Sequence, residues 1–149
     1  PMKISHDAVQ PVAYRFAYGN QKAAICTDLG VFNEYTVDAL RGMDALLIEA
    51  NHDVNMLQVG PYPYYLKQRI LGDRGHLSNE NSGKLLSRIL HDNLKTIILG
   101  HLSKENNLPE LAYEAVRMEI TYGDNPYKAE DFEIQVANRS EVSQVIQLA

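Results

Sequence analysis

Residues Pro11 to Tyr18 alternate, with Val12, Tyr14, Phe16 and Tyr18 on one side, and Gly19-Asn20 turns the chain into a second β-prone run from Lys22 to Thr27. The pattern predicts a hairpin. Asp28-Leu29-Gly30 stops that run, after which Asn33 is placed to cap a short helix through Arg41, ended by Gly42. From Met43 to Ala50 the apolar run Ala45-Leu46-Leu47-Ile48 ends at Glu49, too short for a lone helix and typical of a strand buried on both faces. The stretch from Lys95 to Gly100 repeats it with Ile97-Ile98-Leu99 and leads directly to His101. Between the two runs, His52 to Gly72 predicts two short helices separated by Pro61 and Pro63, and Leu85, Leu86, Ile89 and Leu90 have helical spacing in a segment starting at Ser78. Leu108, Leu111, Ala112, Ala115 and Met118 mark a helix with Pro109 near its start, and Phe132 to Ala137 and Val142 to Leu148 read as late strands.

Strands alternating with helices predict an α/β fold, in which ligands gather outside the carboxyl ends of the strands. Asp28, Glu49 and His101 all fall there. The chain has 149 residues, 45% hydrophobic and 22% charged, the size of one domain with a real core, which excludes a disordered tail and a disulfide miniprotein. A net charge of -5 argues against a surface that is basic all over, but the charge is uneven. Residues 1–60 carry 4 positive and 7 negative charges, residues 61–104 carry 7 and 3, and residues 105–149 carry 3 and 9. The middle segment alone is basic. One cysteine, Cys26, and no run of 18 apolar residues predict a cytoplasmic chain without a membrane partner.

Five strings carry the chemistry: Ser5-His6-Asp7, Thr27-Asp28-Leu29-Gly30, Glu49-Ala50-Asn51-His52-Asp53, Gly75-His76-Leu77-Ser78-Asn79, and Gly100-His101-Leu102-Ser103. In this order they resemble the metallo-β-lactamase-fold hydrolases, specifically the YycJ/WalJ-type branch, over nearly the whole chain, weakening after about Ile120. The resemblance implies that His6, Asp28 and His101 are metal ligands, with Asp28 bridging two divalent ions, Zn or Mn. It implies that His76 protonates the leaving oxygen while Glu49 orients it. The residue types suit these roles: a carboxylate can bind two cations, a neutral imidazole one, and paired ions generate a hydroxide at neutral pH. A histidine whose tautomer is held by a carboxylate can deliver a proton near neutrality.

The family's His-x-His-x-Asp-His motif is absent from the chain. The expected architecture is therefore the C-terminal half of a four-layer αβ/βα sandwich, a single domain over residues 1–149 that is incomplete at its N-terminus and requires the absent half for activity. The implied activity of the whole is a metal-dependent phosphodiester hydrolase, a DNA exonuclease, with Arg69, Arg74 and Lys104 forming a phosphate-binding lip around His76. A small ester or lactone hydrolase, and a noncatalytic half-domain or interaction module, stay open, as does a homo-oligomer. Tyr62, Tyr64 and Tyr65 read as a half-buried packing surface, Asp53 as a helix start, and Cys26 as a small core hydrophobe.

Overall fold

A computed structural model describes residues 1–148. Its strands are β1 (Met2–Lys3), β2 (Val12–Tyr18), β3 (Gln21–Cys26), β4 (Ala45–Glu49), β5 (Thr96–Gly100) and β6 (Glu133–Val136), and they lie side by side in sequence order in one sheet. β1, β2 and β3 pair antiparallel, whereas β3 to β6 run parallel. The parallel strands need crossovers. These are α1 (Glu34–Leu40), then α2 (Val54–Val59), α3 (Tyr64–Leu71) and α4 (Asn79–Ser87), and finally α5 (Pro109–Tyr122).

The helix starts follow local chemistry. The Asn33 side chain accepts from Thr36 N while the Thr36 hydroxyl accepts from Asn33 N, a reciprocal cap, and Asp53 and Ser78 cap α2 and α4. Pro109 opens α5, where a missing N–H costs nothing. One face of the sheet, with Ala24, Leu46, Ile48, Ile97 and Leu99, packs against Val37 and Leu40 of α1, Leu85 and Leu86 of α4, and Ala112, Val116 and Ile120 of α5. Burying each of the large aliphatic side chains contributes about 1.5–3 kcal/mol.

The opposite face differs. The register lines up Tyr14, Ile25, Leu47 and Ile98 across four strands, yet Tyr14 and Ile25 are 51% and 44% exposed. The alternation in β2 is therefore real, but its apolar side faces outward. The strand expected over Val142 to Leu148 does not form: residues 142–148 have no regular structure, and Val142 and Val145 are fully exposed. An alternating pattern without a neighbouring strand to pair with does not hold an extended ladder.

Candidate metal centre

Three adjacent parallel strands end at three of the candidate residues. Asp28 lies two residues beyond β3, Glu49 closes β4, and His101 follows the last residue of β5. Asp28 and His101 have φ of +59° and +56°, and among the described residues no other non-glycine has a positive φ. An L-residue in this conformation costs about 1–2 kcal/mol, so the surroundings must impose it. Asn51 does so at His101, its Nδ2 donating to the His101 carbonyl at 2.9 Å. Beside Asp28, Gly30 N donates to Ser5 O at 2.8 Å. A Cβ on Gly30 would stand 2.6 Å from Gly75 N, so the absence of a side chain there lets the Asp28 loop lie against the loop that carries His76. His6 joins the same place, with Nδ1 donating to Gly75 O at 3.0 Å and Nε2 left as an acceptor.

Around Asp28 Oδ1 stand His6 Nε2 at 3.6 Å and the Nδ1 atoms of His76 and His101 at 3.9 Å each. These separations are too long for hydrogen bonds, and among the described residues Oδ1 makes none. Glu49 is fully buried and fully bonded: Oε1 accepts from His76 Nδ1 at 2.6 Å and from His101 Nδ1 at 2.8 Å, and Oε2 from Leu29 N at 2.8 Å. Burial pushes the Glu49 carboxyl up, but hydrogen bonds from His101, His76 and Leu29 outweigh it and leave it below its ordinary 4.5. The same bond from Glu49, opposed by burial, raises His101 above its ordinary 6.5. With Nδ1 committed on both rings, Nε2 is the nitrogen each has for a cation or a proton.

The donor set fits a divalent ion. Two ligand atoms at about 2.0–2.2 Å from one tetrahedral ion stand about 3.3–3.6 Å apart, which matches the 3.6 Å between His6 Nε2 and Asp28 Oδ1. His76 is as near to Asp28 as His101 is, and potential ligand atoms cluster as His6, Asp28 and His76, and as Glu49, His76 and His101. All five residues named from the sequence thus meet. Four of them, with Glu49 buried behind, line a cleft of about 540 Å³ whose lining also includes Arg69 and Lys104, whereas Arg74, expected beside them, is not part of that lining and spends its guanidinium on the His6 carbonyl.

Several partners were not anticipated. Asp7 accepts from Arg69 Nε, which holds the Asp7 carboxyl below its usual range, and Arg74 donates to His6 O at 3.3 Å. Asp7 was visible as the residue beside His6, whereas nothing in the local sequence marks Arg139, which also lines the cleft. Tyr64 and Tyr65 are 76% and 74% exposed rather than packed, because α3 buries no residue, while half-buried Tyr62 faces the cleft. Cys26 is buried, which pushes its thiol up to about 12, and His52 is buried and pushed down to about 4. Among the described residues no helix is long and apolar enough to cross a membrane.

No family model matches the chain. It is 45% identical over 121 residues to the exodeoxyribonuclease WalJ of Streptococcus pneumoniae, covering 81% of this chain and 45% of that protein. It is 42% identical over 113 residues to the exodeoxyribonuclease YycJ of Bacillus anthracis, covering 76% of this chain and 43% of that protein. The chain thus spans less than half the length of these curated relatives. Among solved structures, a new diphosphatase from the PhnP family superposes with a TM-score of 0.53 at 20% identity, over 92% of this chain and 39% of that one, a likeness of fold.

Proposed function

We propose, for a chain homologous to the YycJ/WalJ-type proteins and built on part of the metallo-β-lactamase fold, that it supplies the ligand and proton-donor side of a metal-dependent phosphodiesterase acting on DNA. The observation that carries this reading is the open carboxylate oxygen of Asp28, unbonded, 3.6 Å from His6 Nε2 and beside the His76 and His101 rings that Glu49 holds by their Nδ1 atoms. His6, Asp28 and His101 are assigned as ligands of zinc or manganese. Divalent ions there would polarise the phosphoryl oxygens and offset the charge that develops on them. Three ligands do not fill two coordination shells, so we assign the remaining donors to sequence outside residues 1–149, a His-x-His-x-Asp-His segment in a longer protein.

His76 and Glu49 form the proton-handling pair. Anionic Glu49 accepts from His76 Nδ1 at 2.6 Å, which fixes the ring and leaves Nε2 to hold the proton passed to the leaving oxygen. Arg69 and Lys104 place positive charge at the cleft, which draws a polyanion toward it, and Arg74 braces the His6 loop behind them. The test is cleavage of end-labelled duplex DNA by the complete protein with Zn²⁺ or Mn²⁺. Chelator-sensitive release of nucleotides is expected, and its absence sinks the reading. His101→Ala is expected to remove metal and activity together, while His76→Ala keeps the metal and slows turnover about 10²–10⁴-fold.

A further inference from the structure

The cations in and around the cleft, Arg69, Lys104 and Arg139 in its lining and Arg74 on the neighbouring loop, are not equivalent. Arg69 is paired with Asp7, and both Nε and Nη2 of Arg74 donate to the His6 carbonyl, so these two guanidinium groups brace the loop that carries His6. Lys104 and Arg139 make no ion pair among the described residues, and the Arg139 guanidinium reaches only a carbonyl, that of Leu102. Their charge is uncompensated. Leu102, Ser103, Lys104 and Arg139 also line a second depression of about 470 Å³, so the two hollows share one ridge. Beyond that ridge the walls are Leu108, Pro109, Val136 and Ala137, largely carbon. The amide side chains there are occupied: Asn107 bonds Asn79, Ala50 O and Leu108 N, and Asn138 bonds Glu141 and Ser140 N, while Ser103 Oγ accepts from Asn106.

We infer that this second hollow is a nucleotide subsite, with Lys104 and Arg139 holding one substrate phosphate and the attached sugar and base lying against Leu108, Pro109 and Val136. The inference rests on the phosphodiesterase reading and names the part of the strand beside the reacting phosphate. Its volume is in the range of small-ligand pockets, and two uncompensated cations next to an apolar wall complement a phosphate joined to a flat ring. Because its amides are already bonded, the wall has little with which to read a base edge, so every base is accepted alike.

The test is a titration of the 149-residue chain in EDTA with a labelled thymidine trinucleotide, and separately with inorganic phosphate, at several salt concentrations. The double variant K104Q/R139Q is expected to weaken trinucleotide binding about tenfold or more and to make its salt dependence shallower by about 0.7 in log–log slope, the loss of one phosphate contact. Leu108→Ala is expected to weaken the trinucleotide a few-fold and leave inorganic phosphate unchanged, whereas Arg117→Gln, on α5 and paired with Glu114, changes neither. Unchanged trinucleotide affinity in K104Q/R139Q overturns the subsite while the metal-dependent activity of the complete protein is judged separately. Wild-type binding of inorganic phosphate without any of the trinucleotide overturns the nucleotide occupant of this hollow, while nucleic acid as the substrate is decided by the cleavage assay on the complete protein.

Discussion

Asp28 and Glu49 are carboxylates at the ends of neighbouring parallel strands, yet they stand in opposite environments. Glu49 is fully buried with both oxygens satisfied, and Asp28 is 44% exposed at its side chain with Oδ1 unbonded and ringed by imidazoles. The difference separates two tasks. A carboxylate with both oxygens already bonded orients other groups, while one with an idle oxygen beside an unbonded imidazole nitrogen is placed to receive a cation. The backbone agrees: Glu49 ends a regular strand, whereas Asp28 is held in a left-handed conformation that costs stability.

The comparison can be broken by stability measurements on metal-free protein. The largest effect is expected from Glu49→Ala, which leaves two imidazoles and Leu29 N without their acceptor and opens a cavity; chemical denaturation is expected to show a loss of about 3–5 kcal/mol. Glu49→Gln keeps the volume but turns one acceptor into a donor, for an expected loss of about 1–3 kcal/mol. Asp28→Gly is expected to go the other way, gaining about 1 kcal/mol by relieving the positive φ while abolishing metal binding. Equal destabilisation by the Glu49 and Asp28 variants would erase the distinction.

The smallest effect is a dependence on pH. His101 is raised in the folded state, so its contribution is complete below 6.5 and is lost as pH rises through the raised value. The melting temperature of the metal-free chain is expected to drift down from pH 6 toward pH 9, and His101→Gln is expected to flatten that drift. Glu49 has the opposite sign: its folded value is depressed, so its contribution holds above 4.5 and fades as acid takes the pH below that.

Much of this arrangement is legible in the amino-acid sequence. The runs Ala45-Leu46-Leu47-Ile48 and Ile97-Ile98-Leu99 could only be buried strands, and Asn33, Asp53 and Ser78 announced helix starts by their own hydrogen bonding. The carboxyl ends of those two strands carry Glu49 and His101, and that of the hairpin's second strand leads to Asp28, but their roles come from the family resemblance and not from strand ends alone. Long-range pairings were not legible, since no local pattern tells Arg69 to reach Asp7, or one Glu49 oxygen to serve both His76 and His101. Nor does alternation say which side of a strand is covered: Tyr14 and Phe16 are regular in spacing and still exposed, because helices pack on the other face of the sheet.

Anomalous diffraction at the zinc edge from crystals of the complete protein soaked in Zn²⁺ tests the central claim most directly. A peak about 2.0–2.2 Å from Asp28 Oδ1 and His6 Nε2, lost in Asp28→Ala and kept in His76→Ala, is the predicted result. A peak bound instead by Glu49, or none near Asp28, would contradict it.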